Sequence, residues 1–274
     1  MSASVVAPRG GMKASVVAAA LCTAAFVAVA IAGRWFAPLS VENGDLMRSA
    51  LGPGGAHLLG TDELGRDVFS RILAGGREAI AGPVVAAIAA TLLGTVFGLV
   101  CGFLGGWADN LVMRFVDFAY SLPSGLIAIV VVGVLGGGYP VAVMTLIVLA
   151  VPGDVRIVRA AVLAQRHQPY LEAARVLGLS RVRIAVVHVL PNISPTVVAN
   201  GLLTFGYSLV SLSALSFLGL GSPAGSPDWG RMISENRTLL DVNPWASVVP
   251  ALLLVLVAAS VTILGDWLLD RRTS

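Results

Sequence analysis

Apolar residues run along this chain in blocks of about twenty, and short polar stretches separate the blocks. The blocks fall at roughly 14–33, 80–104, 118–137, 139–159, 195–217 and 247–268. About twenty apolar residues are what a helix needs to cross a hydrocarbon core. The pattern therefore predicts six membrane-spanning helices. The third and fourth blocks are divided only by Gly136-Gly137-Gly138-Tyr139-Pro140, a run of helix breakers that reads as a turn. The fourth continues past Pro152-Gly153 into Asp154, Arg156 and Arg159, as a helix leaving the bilayer would.

Within the second block small residues recur every four positions: Gly82, Ala86, Ala90, Gly94, Gly98, Gly102 and Gly106. On a helix they form one narrow strip. Inside lipid, helices associate by close packing, and such strips let backbones approach. The strip predicts a packing face, with Gly94, Gly98 and Gly102 at its centre, but does not name the partner helix.

Composition agrees with the blocks. The 274 residues are 57% hydrophobic and 12% charged, and the mean hydropathy is +0.88. A soluble domain carries about 25% charged residues. The formal charge of +3 does not point to nucleic acid, because the arginines cluster beside spans. Cys22 and Cys101 lie inside apolar runs and read as small packing residues. Arg9 and Lys13 precede the first block as in a signal peptide. That block is longer than the 7–15 residues of a signal core and runs into Arg34-Trp35-Phe36 without a small-residue cleavage site. The expectation is a retained first span.

Charge sets the orientation. The segment 154–183 holds Arg156, Arg159, Arg166, Arg175, Arg181 and Arg183 against Asp154 and Glu172, and the C-terminal tail holds Arg271 and Arg272. The segments 34–79 and 218–246 mix signs. Arginine-rich loops stay in the cytoplasm, so both termini are expected there. The expected layout is a cytoplasmic tail at 1–13, a first span with an outer segment at 14–79, a core at 80–268 and a tail at 269–274.

One polar island stands out. Residues 172–191 read EAARVLGLSRVRIAVVHVLP. Glu172, Ala173 and Ala174 favour a helix, and Gly178 is placed to end it. A second helical run is expected to stop at Leu190-Pro191, since proline cannot continue a helix interior. This spacing resembles the EAA loop of ABC-importer permeases. His188, where that family usually has an aliphatic residue, narrows the match to the peptide-permease branch. The resemblance implies a cytoplasmic coupling loop, 160–191, that docks on a separate ATPase. Glu172 would make a polar contact to it, and Ala173 and Ala174 would keep the helix thin.

Two further stretches carry the same resemblance. Residues 60–71 read GTDELGRDVFSR. On physical grounds they predict a solvated surface helix, with Thr61 or Asp62 as its cap. They are similar to the C-type subunits of dipeptide and oligopeptide permeases at Gly60, Thr61, Asp62, Gly65, Arg66, Asp67, Ser70 and Arg71. The second stretch runs from Ser216-Phe217-Leu218-Gly219-Leu220-Gly221 to Pro227-Asp228-Trp229-Gly230-Arg231-Met232. It resembles a signature of the same family. Gly219 and Gly221 suit a chain reversal, Asp228 a helix cap, and Trp229 and Trp245 the membrane interface.

Several chemistries lack their residues. Lys13 is the only lysine and no P-loop occurs, so ATP hydrolysis has no site here. His57, His167 and His188 show no metal-ligand spacing, and no nucleophile elbow is present. Asp117, Asp154 and Asp266 read as lying near span ends, facing water or headgroups, which weakens an ion-coupled carrier. The resemblance implies an all-α, six-span membrane bundle of the type I importer kind, in a bacterial inner membrane. It implies a non-catalytic subunit without cofactor, with ATP and Mg held by two partner ATPase subunits. A paralogous permease subunit and an extracytoplasmic substrate-binding protein would complete the machine. Peptides are the expected cargo; nickel, glutathione and haem are carried by related permeases.

Overall fold

The computed structural model describes residues 14–166 and 168–273, with side chains as far as 270. Arg9, Lys13, the tail 1–13, His167 and the side chains of Arg271 and Arg272 lie outside the described residues. Among the described residues the chain is almost wholly helical. Two isolated bridges, Gly54 with His57 and Thr61 with Asp67, are the β pairings found there.

Ten α-helices follow in order: α1 Ala14–Ala32, α2 Val68–Leu104, α3 Gly106–Tyr120, α4 Ser124–Val134, α5 Tyr139–Gln165, α6 Pro169–Val176, α7 Arg181–Arg183, α8 Leu190–Phe217, α9 Trp229–Glu235 and α10 Trp245–Thr273. A π-helical turn, Ile184–Val189, joins α7 to α8. Five stretches are long and apolar enough to cross a membrane, and α3 with α4 makes a sixth if the broken pair is one span. Large side chains such as Val85, Ile88, Leu92 and Val96 on α2 and Val255 and Leu256 on α10 are exposed. In a soluble protein they would be a liability; in a bundle of this composition they face lipid or neighbouring subunits.

Three predicted boundaries change. The second span starts at Val68 rather than near 80, because its polar first turns are neutralised by partners distant in sequence. The third, expected at 118–137, is two helices bent by 85°. Pro123, in extended conformation, disfavours helix in the residue before it and sets the break. Finally, the helical run does not stop at Leu190-Pro191 but crosses the proline, from Arg181 to Phe217. Pro191 falls in the first turn of α8, just after the π turn. The Asn192 side chain donates to the His188 carbonyl at 2.7 Å, serving an acceptor in the stretch where proline removes a backbone donor.

The small-residue strip of α2 packs on α5 of the same chain. A Cβ on Gly94 would collide with Cβ of Asp154; on Gly98 it would lie 2.7 Å from Cβ of Val158, and on Gly102 2.8 Å from Cβ of Val162. The strip ends at Gly102. Gly106 belongs to α3 and touches nothing.

Three apolar clusters hold the bundle. One gathers Phe26, Val68, Ile72, Leu209, Trp229 and Met232 at the end where α2 begins. A middle cluster joins Ala86, Val132, Leu146 and Leu212. The third, at the opposite end, contains Phe103, Val158, Val162, Leu171, Ala174 and Ile184.

Candidate functional site

Three features are candidates: a handle at one end of the bundle, a cap at the other, and a cavity between them.

The handle is α6 and the turn that follows. Gln168 is extended and Pro169 opens the helix, where its fixed φ and missing donor do no harm. Leu171 and Ala174 are buried against Phe103, Val158 and Val162. Glu172 and Ala173 face outward. Ala174 therefore packs on its own bundle. The Leu179 amide donates to the Ala174 carbonyl at 3.2 Å and the Gly178 amide to Arg175 at 3.0 Å, a Schellman ending. Gly178 has φ +75° with open space around it; backbone conformation, not crowding, demands glycine there. Ser180 then caps α7 through the Arg183 amide at 3.3 Å. Tyr170 clamps the unit, donating to Gln165 at 3.0 Å and accepting from Asn192 at 3.2 Å. Val176, Leu177 and Val182 stand 88%, 79% and 74% exposed, beside exposed Arg175, Arg181 and Arg183. An apolar tip ringed by arginine is suited to docking.

The cap is built from 37–67 and 218–244. The expected solvated helix at 60–71 is absent. Thr61, Asp62, Arg66 and Asp67 are buried, and so is Arg71 in the first turn of α2. Buried charges must be paired and hydrogen-bonded, and these are. Asp62 lies 2.7 Å from Arg66 and 3.4 Å from Arg71, and Arg66 lies 3.4 Å from Glu235. Arg71 also donates to the carbonyls of Val41, Gly225 and Ser226 at 2.9–3.2 Å. Asp67, not Thr61 or Asp62, is a helix cap, accepting from the Ser70 amide at 2.8 Å.

Trp229 is not an interfacial residue. It is fully buried, donates to the Ile72 carbonyl at 3.0 Å and meets Phe26 edge-on. Trp245 is half-exposed. A side chain on Gly230 would strike the Ser213 backbone. Asp228 caps α9 through the Arg231 amide at 2.9 Å, and burial raises its carboxyl above the usual range. Asn243 donates to the Leu59 and Thr61 carbonyls at 3.0 and 3.1 Å. Glu235 and Asn243 were not legible as site residues, since nothing in their sequence surroundings names a partner.

A cavity of about 590 Å³ opens at the α3–α4 elbow, between it and α5 and α8. Its polar lining is Tyr120, Ser124, Asp154, Asn200, Thr204 and Tyr207. Ser124 and Tyr207 hydroxyls are 2.9 Å apart. Asp154 does not face headgroups: it is 3% exposed and accepts from Asn200 at 2.7 Å and Thr204 at 2.9 Å. The sequence signal was available, an acid inside an apolar run, but the neighbouring Pro-Gly made it read as a span exit. Two ion pairs tie α3 to α5 alongside: Asp109 with both Nε and Nη2 of Arg159 at 2.6 and 2.7 Å, and Asp117 with Arg156.

A helical bundle with five or six stretches able to cross a membrane, an apolar tip ringed by arginine and a polar-lined cavity has the build of a multi-pass membrane protein. Comparison with known proteins makes the class specific. Residues 94–274 match the family model "Binding-protein-dependent transport system inner membrane component". The glutathione transport system permease protein GsiD of Escherichia coli O6:K15:H31 is 38% identical over 253 residues, 92% of this chain and 84% of that protein. The GsiD proteins of Shigella sonnei (38%) and Shigella dysenteriae serotype 1 (37%) match over the same shares. An inward-facing structure of the MetNI methionine ABC transporter aligns with a TM-score of 0.55 at 20% identity, covering 71% of this chain and 94% of that one; this likeness concerns the fold alone. The chain belongs to the family of inner-membrane permease components of binding-protein-dependent ABC importers. Such a component works with ATPase and substrate-binding partners.

Proposed function

We propose that this chain is one half of a translocation pathway that imports small peptides, with glutathione, itself a tripeptide, as the first cargo to test. The observation that carries this reading is the 38% identity to glutathione permeases across 92% of the chain. The GTD-x-x-GRD stretch and the Trp229-Gly230 stretch add support for the wider peptide branch. The chain itself is non-catalytic in this reading. A paralogous permease subunit completes the pathway, two ATPase subunits bind ATP and Mg below, and a binding protein delivers cargo outside.

The handle faces the cytoplasm in this reading, as its arginines favour, and the cap faces out with both termini inside. The exposed face of α6, with Glu172 and Ala173, lies in a groove of the ATPase. Leu171 and Ala174 seat the helix on α5 and the π turn, so motion of the ATPase reaches the spans. The Gly178 turn holds the angle between α6 and α7. ATP-driven closure tilts the spans and opens the pathway outward; hydrolysis resets it.

The test is uptake of labelled glutathione and of a dipeptide into proteoliposomes holding the permease and ATPase subunits, with the binding protein and cargo outside and ATP trapped in the lumen. ATP must be on the handle side and ion gradients collapsed. ATP-dependent accumulation supports an importer. Transport that needs an ion gradient and no ATP would instead mark a secondary carrier.

A further inference from the structure

Two irregularities meet at one point of α2. Pro83 lies inside this 37-residue helix and brings no amide for the Ala79 carbonyl. One rung earlier, a side chain from another helix reaches the ladder. The Tyr139 hydroxyl, at the start of α5, accepts from the Gly82 amide at 2.8 Å and donates to the Glu78 carbonyl at 2.5 Å. An α-helix pairs those two backbone groups directly; here a phenol bridges them. Gly82 makes the room, since a Cβ there would lie 2.5 Å from the hydroxyl and 2.6 Å from Leu212. An interior proline and a side chain inserted into the ladder are each a cause of helix bending, and the two fall on successive rungs.

The parts of α2 on either side are held by different partners. On the cap side Arg71 is bonded to Gly225 and Ser226, the Ile72 carbonyl accepts from Trp229, and Gly75 lies against the Pro227 backbone. On the other side Gly94, Gly98 and Gly102 pack on α5. The phenol is placed from the cap segment as well, because the Gly138 amide beside it donates to the Leu220 carbonyl at 2.9 Å.

We propose that Tyr139 is a positioning residue for transport. Its hydroxyl, set across the Gly82–Glu78 rung, makes residues 78–83 a hinge about which the cap-bound part of α2 moves against the α5-bound part. The proposal rests on the alternating-access reading above. Domain movements of that kind bend at a few residues while the flanking elements stay rigid. Without the hydroxyl the Gly82 amide has only the Glu78 carbonyl to bond, and the hinge stiffens.

The test measures the bend directly. Met47 in the cap is 92% exposed and Val96 on the α5-bound part is 58% exposed. Spin labels go on Met47→Cys and Val96→Cys in a chain with Cys22 and Cys101 replaced. The complete complex is compared by pulsed EPR without nucleotide and after trapping with ATP and vanadate. The parent distance is expected to shift by about 3 Å or more between the two states. Tyr139→Phe keeps the ring and removes the hydroxyl; it is expected to lose most of that shift. Glutathione moved per ATP hydrolysed is expected to fall roughly fivefold, with the thermal midpoint unchanged. Pro83→Ala restores the missing amide and is expected to reduce the shift in the same way. A parent distance equal in both states overturns the proposal. So does a Tyr139→Phe complex that keeps the parent's shift and coupling, whether or not its midpoint falls, since Tyr139 would then be a packing contact. A parent complex whose distance shifts but which moves no glutathione refutes the import reading and leaves the hinge standing.

Discussion

Arg66 Nε lies 2.7 Å from Asp62 Oδ2, with 7% and 1% of the two side chains exposed. The same carboxylate faces Arg71. One acid therefore serves two buried guanidinium groups where the cap meets α2. Asp62→Ala leaves both cations short of a partner. Removing one member of a buried pair costs about 3–5 kcal/mol. The expected outcome is a large drop in the thermal midpoint of the detergent-purified protein. Asp62→Ala combined with Arg66→Ala should recover part of it. A single variant that melts with the parent would contradict the buried network.

Gly178 makes a conformational prediction. At φ +75° an L-residue other than Asn or Asp is strained by roughly 1–2 kcal/mol, and no neighbour crowds the site. Substitutions should rank by backbone tolerance, with Gly178→Asn mildest, then Ala, then Val. Membrane insertion stays normal in all three, while uptake per ATP hydrolysed falls in that order. Full coupling in Gly178→Val would argue against a rigid turn between α6 and α7.

The α2–α5 contact gives a contrast between glycines. Gly98 has no room for a methyl group against Val158, whereas Gly133 has nothing within 4 Å. Overpacking a tight contact costs about 1–3 kcal/mol. Gly98→Leu should lower the yield of folded protein and its melting point, while Gly133→Ala should be neutral. Size-exclusion profiles and thermal melts of the two variants make the comparison.

Asp228 predicts a pH dependence of the cap. Burial raises its carboxyl above the ordinary value of 3.8, so the folded protein keeps this proton at pH values where the unfolded chain has released it. Its contribution to stability therefore declines as pH rises from the ordinary carboxylate range through the raised value. Asp228→Asn retains a capping acceptor for Arg231 and has no proton to lose. The thermal midpoint of the parent should fall relative to that of Asp228→Asn as pH is raised across this window. Parallel curves would refute the assignment.

The spans and the handle could be read from the chain because both are local patterns. Six apolar blocks foreshadowed the bundle. The EAA stretch and Gly178 foretold a helix and its ending, and the structure has α6 with a left-handed Gly178. The cap was misread because charge was counted along the chain. Asp62, Arg66 and Arg71 look like solvent residues until Gly225, Ser226 and Glu235, some 150–170 positions later, come into contact. Trp229 was taken for an interface anchor since its acceptor, the Ile72 carbonyl, lies 157 residues away. The Pro191 rule failed for a local reason: the preceding π turn leaves the proline in the first turn of α8, where a missing backbone donor is tolerated. The glycine strip showed its purpose but not its partner, because a strip of small residues fits any smooth helix.

The orientation and grip of the handle can be measured together at Leu177, which is 79% exposed. A Leu177→Cys chain with Cys22 and Cys101 replaced is treated with a membrane-impermeant maleimide in sealed cells and in inverted vesicles, with and without the ATPase subunits. The predicted result is no labelling in sealed cells, strong labelling in vesicles stripped of ATPase, and protection once the ATPase is restored. Labelling of Leu177→Cys from outside sealed cells, or labelling in vesicles that the ATPase does not reduce, would contradict the proposed coupling.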